Sequence, residues 1–229
     1  MIPSKNTQIG STKAIILGHA SKNVFLYVHG QNGNKEEAHN IEKVVCKYNY
    51  QILSIDLKSI ENPWIVTPEL INVIDFVKKK WDHISIFANS IGAWFSMISY
   101  ENENIENCFF VSPVLDMKVL ISKMMKWANV SEEQLQQKQI IHTDFGQTLS
   151  WKYWEYVLSH PISNWKFRTK ILYGEKDNLI DYDVVESFAQ KFHCDLTIMA
   201  NGEHWFHTNE QLEFMQNWLD NELKNIHSL

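Results

Sequence analysis

Short runs of apolar and β-branched residues alternate along this chain with stretches in which apolar residues recur every three or four positions. Most of the short runs are continuously apolar, which is typical of strands covered on both faces, as in a parallel sheet. Seven strands are predicted, of which the first has the weakest signal: 14–17, 24–28, 51–55, 84–88, 108–112, 170–173 and 196–199. The regular exchange of strand and helix predicts an α/β fold, with a mostly parallel sheet and helices on both faces.

Helix starts are marked by residues that satisfy the free amides of a first turn. Four such signals are a capping box from Asn34 to Glu37, a cap with an N1 proline at Thr67 and Pro68, an N-cap at Asp181, and Thr208 with Gln211 three residues later. An amphipathic stretch follows each of them, so we expect a helix to begin at each position.

One interval breaks this rhythm between the strands that end at 112 and begin at 170. More than fifty residues lie there, too many for a simple crossover, and they predict helices at 115–128, 131–141 and 150–158. The sequence therefore predicts a core made of residues 1–113 and 169–229. Residues 114–168 are expected to form a small helical cap inserted at one end of the sheet.

Composition narrows the class of protein further. The chain has 229 residues and a net charge of −6, whereas nucleic-acid binders usually carry a basic field. The three cysteines, Cys46, Cys108 and Cys194, form no CxxC pair, which favours a reducing compartment. No secretion signal begins the chain, and no apolar run reaches the ~18 residues of a membrane span. We expect a cytoplasmic protein whose partner is a small molecule rather than a nucleic acid or a membrane.

A serine lies where the fourth predicted strand, 84–88, would turn sharply into a helix. The segment reads Ala88-Asn89-Ser90-Ile91-Gly92. Small residues two before and two after Ser90 allow a tight turn that pushes the serine out of the sheet's end. The helix start then presents the Ile91 amide to a developing oxyanion.

A second glycine-containing turn follows an earlier strand. It reads His29-Gly30-Gln31-Asn32-Gly33, and glycine lets the backbone approach a neighbour closely. A backbone amide there, that of Gln31, can point at the same oxyanion as the Ile91 amide.

These two turns, in this chain order, resemble the α/β-hydrolase superfamily over nearly the whole chain. The resemblance implies an acid after a later strand and a histidine after the last strand. Asp177 and His204 match those places, 87 residues after Ser90 and 27 residues after Asp177. It implies that Ser90 is the nucleophile, His204 its base and Asp177 the group that orients the base. Gln31 and Ile91 would supply the oxyanion hole.

The resemblance implies a serine hydrolase that cleaves a small carboxylic ester, thioester or amide through an acyl-enzyme. Neither a cofactor nor a metal is expected. Three alternatives remain: a peptidase of the serine-aminopeptidase kind, a lyase, and a catalytically silent binding protein of the same fold. The aminopeptidase would need an acidic group in the cap to hold the substrate amine. Its candidates are Glu132, Glu133, Asp144 and Glu155.

Several residues compete for these roles or depart from the family pattern. His207 is a second candidate base, and Asp181 a second candidate acid. Glu203 beside the two histidines suggests a metal site only weakly, because no HExxH or paired Cys/His spacing accompanies them. Ala88 stands where the elbow usually begins with glycine, and the loop 56–63 lacks the glycines common in the family. Cap aromatics such as Trp151 are first a packing stripe, although an apolar pocket between cap and sheet is a reasonable hypothesis.

Overall fold

The computed structural model describes residues 2–58, 60 and 62–228, and a sheet of eight strands forms its centre. The ten strands are β1 (Ser4–Ile9), β2 (Thr12–Leu17), β3 (Asn23–Val28), β4 (Tyr50–Ile55), β5 (His83–Asn89), β6 (Asn107–Val111), β7 (Ile140–His142), β8 (Thr148–Ser150), β9 (Arg168–Gly174) and β10 (Asp195–Met199). The sheet has the order β1-β2-β4-β3-β5-β6-β9-β10, whereas β7 and β8 form a separate hairpin. In the eight-stranded sheet β2 is antiparallel to both its neighbours, and all other pairs are parallel. The predicted fold class and all seven predicted strands are confirmed.

Helices cover both faces of the sheet. They are α1 (Glu42–Lys47), α2 (Pro63–Lys78), α3 (Ile91–Tyr100), α4 (Met117–Trp127), α5 (Glu132–Lys138), α6 (Trp151–Ser159), α7 (Tyr182–Phe192) and α8 (Asn209–His227), together with a 3₁₀ helix at Lys35–Asn40. One face carries α2, α3 and α7, and the other carries the 3₁₀ helix, α1 and α8.

The packing of strand β3 shows why its buried positions, Val24 to Val28, are apolar. Val24, Leu26 and Val28 belong to the buried cluster that includes α2 and α3. Phe25 and Tyr27 point the other way, into the cluster with α1 and α8. Successive side chains of a strand alternate between faces, so a strand covered on both sides has apolar residues at successive positions rather than at every second one. Each fully buried aliphatic chain of this kind contributes about 1.5–3 kcal/mol relative to exposure.

Helix α2 begins earlier than predicted. Its first residue is Pro63, with Asn62 at the N-cap, and Pro68 lies inside the helix. The prediction that Thr67 caps the helix was wrong, because Pro63 already occupies the N1 position that favours proline. The hydroxyl of Thr67 instead lies 3.2 Å from that of Tyr156 in α6.

The other capping signals have mixed outcomes. Thr208 and Gln211 form the predicted capping box at the start of α8. Asn34 does cap a helix, but its side chain accepts from the amide of Glu36 at 2.9 Å and forms no capping box with Glu37. The segment is a 3₁₀ helix followed by the short α1, instead of one continuous helix.

The long interval between β6 and β9 contains α4, α5, the β7–β8 hairpin and α6. The predicted helix at 131–141 was wrong at its end, because the chain leaves the helix at Gln139, whose φ is +65°. The hairpin turn is closed by hydrogen bonds between Thr143 and Gln147, and Gly146 has a φ of +83°. The three-residue strands are too short for their alternation to be visible in the sequence.

Four residues lie outside the described part of the chain. Ser59 and Glu61 belong to the predicted loop 56–63, and Met1 and Leu229 end the predicted core. Among the helices that the structure does describe, none combines the length and apolar character needed to cross a membrane.

Candidate active site

Ser90 lies in a strained turn between β5 and α3. Its φ is +49° and its ψ −122°, a conformation that residues other than glycine adopt rarely. The neighbouring strand end holds it there. The Ser90 amide donates to the carbonyl of Val111 at 3.0 Å, and the Ser90 carbonyl accepts from the amide of Val114 at 3.0 Å.

The elbow also requires a residue without a side chain two positions after Ser90. A Cβ on Gly92 would lie 2.5 Å from the carbonyl oxygen of His29 and 2.6 Å from that of Val28. These atoms belong to the backbone and cannot move away cheaply. Ala88, the departure from the family pattern, is fully buried in β5, so its methyl group fits the core there.

Ser90, His204 and Asp177 form a continuous hydrogen-bonded series. The Oγ of Ser90 lies 2.8 Å from Nε2 of His204, and Nδ1 of His204 lies 2.7 Å from Oδ2 of Asp177. The side chain of Asp177 is fully buried, whereas that of His204 is 18% exposed. A carboxylate only accepts hydrogen bonds, so the imidazole carries its proton on Nδ1. Its Nε2 is therefore free to accept the proton of Ser90.

Close packing of two glycines brings together the loop that carries Asp177 and the loop that carries His204. A Cβ on Gly174 would lie 2.6 Å from the carbonyl carbon and oxygen of Gly202. The amide of Lys176 donates to the carbonyl of Gly202 at 2.7 Å. The loops after β9 and β10 are thus in backbone contact, which places Asp177 beside His204.

The competing candidates lie elsewhere. Nδ1 of His207 lies 2.7 Å from the carbonyl of Trp205, and the two rings stack at 4.5 Å. Asp181 occupies the N-cap position of α7, but its side chain makes no capping bond. It accepts instead from Nζ of Lys123 at 2.6 Å, so the expected capping role of its carboxylate was wrong. Ser90 and Asp177 engage both ring nitrogens of His204. Neither nitrogen is therefore free to bind a metal ion.

Two backbone amides beside Ser90 are the candidate oxyanion donors. Gly30 packs against Ser90, since a Cβ on it would lie 3.2 Å from the Cβ of Ser90. In the part of the chain that the structure describes, neither the Gln31 amide nor the Ile91 amide donates a hydrogen bond. Ile91 is also the first residue of α3, where the helix dipole favours negative charge.

His29 is a component of the site whose role the sequence did not reveal. It is 3% exposed. Its Nε2 accepts from the amide of Leu57 at 2.9 Å, and its Nδ1 donates to the carbonyl of Gly30 at 2.7 Å. The ring therefore ties the loop that precedes Gln31 to the end of β4. The only sequence signal was its place in the motif before Gly30.

A second, partly buried series of polar groups lies behind Ser90. Nδ2 of Asn89 donates to the hydroxyl of Tyr27 at 2.7 Å, and that hydroxyl donates to Oε2 of Glu37 at 3.3 Å. Burial, reinforced by the Glu37 carboxylate, raises the pKa of Tyr27 well above its ordinary value. Tyr27 therefore stays protonated and can donate. This arrangement fixes the residue that precedes Ser90.

The insertion reaches the site at the β7–β8 hairpin. Nε2 of Gln31 donates to Oε1 of Gln147 at 3.3 Å. Phe145 of the same turn is 41% exposed, and its ring packs edge-on against Trp127 at 5.8 Å. Trp205, next to His204, is 69% exposed. Apolar rings thus remain open to solvent in the hairpin turn and beside the histidine.

A groove of about 640 Å³ lies on another part of the molecule, between α3, α4, α6 and α7. Trp94, Leu115 and Phe188 contribute to its wall, but Ser90 and His204 do not. Cavities of this size often mark binding sites. The groups able to do chemistry nevertheless lie outside this groove, and we place the candidate site where they converge.

Comparison with known proteins gives likenesses of structure. No protein-family model and no curated protein sequence matches the chain. Est1E from Butyrivibrio proteoclasticus superposes with a TM-score of 0.79 and 14% identity over 99% of both chains. An esterase from Pyrococcus furiosus gives 0.65 and 14%, over 97% of this chain and 88% of that one. The thioesterase domain from the curacin biosynthetic pathway gives 0.59 and 14%, over 97% and 99%. Together with the sheet order, these likenesses show that the chain has the fold of the α/β-hydrolase superfamily.

Proposed function

We propose that this protein is a serine hydrolase that cleaves a small carboxylic ester, or a related thioester or amide, through an acyl-enzyme. The observation that carries the proposal is the series of hydrogen bonds from Ser90 through His204 to Asp177, at 2.8 and 2.7 Å. A serine hydroxyl is a weak nucleophile unless an adjacent base takes its proton. The series supplies that base and the group that orients it.

The reaction begins when the Oγ of Ser90 attacks the substrate carbonyl while Nε2 of His204 removes the hydroxyl proton. General base catalysis of this kind contributes about 10²–10⁴-fold. The imidazolium is stabilised by the carboxylate of Asp177, which remains ionised. The carbonyl oxygen becomes negative and is stabilised by the free amides of Gln31 and Ile91, at about 2.7–4 kcal/mol for one such donor.

The tetrahedral intermediate collapses when His204 returns its proton to the leaving group. The Ser90 acyl ester and the free alcohol, thiol or amine result. A water molecule then attacks the acyl carbonyl, with His204 again acting as the base, and the acid product is released while Ser90 regains its proton. Every proton transfer passes through His204, and the sequence of steps needs no redox change.

We also propose that residues 114–168 act as a cap that governs which substrates reach Ser90, whereas the three reacting side chains all belong to the core. The contact between Gln31 and Gln147 supports this division, since it joins the oxyanion loop to the hairpin of the insertion. The exposed aromatic rings of Phe145 and Trp205 suit a substrate with apolar groups near the carbonyl.

No contact among the described residues supports the peptidase alternative. Its four candidate carboxylates, Glu132, Glu133, Asp144 and Glu155, are all exposed. None of them forms a hydrogen bond or ion pair with Ser90, Gln31 or His204 within the described residues. An ester or thioester, which needs no amine anchor, is the better match.

Reaction with a fluorophosphonate, which phosphonylates activated serines with loss of fluoride, tests the proposal. We expect the protein to be labelled at Ser90 and Ser90→Ala to be neither labelled nor active, with a loss of about 10⁶ in kcat. Ser96→Ala, at a buried serine of α3, is the control and should still label. A panel of esters, thioesters and aminoacyl amides then identifies the substrate class. A folded protein that is not labelled would instead support a silent binding protein.

A further inference from the structure

The loop that carries Asp177 is held largely by its own backbone. Oδ1 of Asp177 accepts from the amides of Leu179 and Ile180, both at 2.9 Å. The hydroxyl of Tyr173, at the end of β9, donates to the carbonyl of Ile180 at 2.7 Å. The orientation of the Asp177 carboxylate therefore depends on where Leu179 and Ile180 lie.

A lysine from the insertion contacts the same loop. Nζ of Lys123, in α4, donates to the carbonyls of Asn178 and Leu179 at 3.3 and 3.0 Å, and to Oδ1 of Asp181 at 2.6 Å. An ammonium group has three donors, and here each has one acceptor. The Lys123 side chain is 21% exposed, so water competes only in part for these bonds.

Leu179 links the lysine to the carboxylate. Its carbonyl accepts from Lys123, and its amide donates to Asp177. If Lys123 is removed, two loop carbonyls and the Asp181 carboxylate lose a charge-assisted partner, which is the stronger kind of hydrogen bond. The loop then relaxes at the residue that holds the Asp177 carboxylate in place.

We propose that Lys123 is a positioning residue, which acts from the insertion to hold the Asp177 loop in the geometry that orients His204. The inference rests on the proposed function, because the orientation of His204 matters only if His204 is the base. The insertion thereby contributes to the chemistry through α4, in addition to its contact with the oxyanion loop through the hairpin.

The first test is the rate of labelling by a small fluorophosphonate, which has no bulky group for the insertion to bind. We expect Lys123→Met to label about 10-fold more slowly, since small misplacements of catalytic groups cost this much or more. Lys126→Met is the matched control. Lys126 is exposed on the same helix, and its side chain forms no hydrogen bond or ion pair with any described residue. It should label within about twofold of the unaltered protein.

A double-mutant cycle separates positioning from general stability. Asp177→Asn alone should slow labelling by about 10⁴-fold. If Lys123 acts through Asp177, adding Lys123→Met to that variant changes the rate by less than about twofold, because interacting sites are not additive. A further tenfold loss in the double variant would overturn the inference, as would wild-type labelling by Lys123→Met.

Hydrogen exchange gives a readout that does not depend on activity. The Leu179 and Ile180 amides should exchange about 10-fold faster in Lys123→Met and at the original rate in Lys126→Met. Unchanged exchange in both would overturn the inference even if labelling proceeds as proposed. If the unaltered protein is not labelled, the proposed function fails, and these amides still decide whether Lys123 holds the loop. If Lys123→Met does not fold, Asp181→Ala, which removes one acceptor of the lysine, is measured in the same way.

Discussion

The amide of Leu57 donates a hydrogen bond of 2.9 Å to Nε2 of His29, and this bond joins the end of β4 to the loop that carries Gln31. The other ring nitrogen of His29 is bonded to the carbonyl of Gly30. One buried side chain therefore fixes the direction of the Gly30–Gln31 peptide group, which carries the candidate oxyanion donor. A side chain that positions the oxyanion donor should affect kcat more than KM, unlike a side chain that binds the substrate.

We expect His29→Ala to lower kcat about 10–100-fold, because the Gln31 amide would no longer be held toward the developing charge. KM should change less, since the ring contacts the protein rather than the substrate. The measurement is steady-state kinetics on an activated ester. His39→Ala, at an exposed histidine paired with Glu36 and Glu42, is the control and should stay within twofold. An unchanged kcat in folded His29→Ala would contradict this role.

The two histidines after β10 should differ sharply. His204→Ala is expected to lose at least about 10³ in kcat, since members of a triad act as a unit. His207→Ala should lose little, because its ring bonds to the carbonyl of Trp205 and stacks on that side chain. Both variants are assayed on one ester across pH 5–9. The assignment is wrong if His207→Ala is the inactive protein.

Replacement of Ser90 by glycine should stabilise the fold relative to alanine. The positive φ of Ser90 costs a residue with a Cβ more than it costs glycine, so we expect Ser90→Gly to be about 1 kcal/mol more stable than Ser90→Ala. Ser187, exposed in the helix α7, provides the reverse comparison. There glycine should be about 1 kcal/mol less stable than alanine. Urea unfolding of the four variants measures both differences, and equal signs at the two sites would refute the argument.

The contact between the hairpin and the oxyanion loop should affect substrate binding more than chemistry. A hydrogen bond between neutral amides contributes about 1 kcal/mol, so we expect Gln147→Ala to raise KM for a bulky ester several-fold. Labelling by a small fluorophosphonate should remain unchanged, because the donor at position 31 is the backbone. Gln136→Ala, in the exposed part of α5, is the control. Equal loss of labelling and ester turnover in Gln147→Ala would show that the contact affects the chemistry as well as substrate binding.

The cysteines should be inert toward alkylation in the folded protein. Burial raises the pKa of Cys194 to about 11, that of Cys108 well above its ordinary value, and that of Cys46 as well. A raised pKa leaves less thiolate at a given pH, and at pH 7.5 the thiolate of Cys194 is well below about 1%. Iodoacetamide should therefore leave both mass and activity unchanged, while the urea-unfolded chain takes up three groups. Rapid modification of the native protein would show that a thiol is more accessible than the structure indicates.

The parts of the fold that the sequence predicted are those with strong local or periodic signals. β3 was predictable because burial on both faces gives a continuous apolar run from Val24 to Val28. Ser90 was predictable because the elbow needs small residues near the serine. Asp177 and His204 were expected from the resemblance, and parallel strands carry both to the same edge of the sheet.

The remaining features depend on contacts between distant residues. Thr67 and Pro68 read as a helix start, and only the presence of Pro63 upstream shows that the helix had already begun. The β7–β8 hairpin was missed because three-residue strands carry too little alternation. Neither the bond from His29 to Leu57 nor that from Lys123 to Leu179 has a sequence signal, since each joins segments that meet only in the folded chain.

The backbone of Ser90 takes its conformation from partners on the adjacent strand end, Val111 and Val114. Until β5 and β6 have paired, this residue is an ordinary serine without its exposed geometry. If Ser90 is the nucleophile, as we propose, a nascent or partly unfolded chain should not react with acylating agents. On the same proposal, the extent of covalent labelling would measure the amount of native protein. A chain that is still folding would not be inactivated by compounds that react with Ser90 of the folded protein.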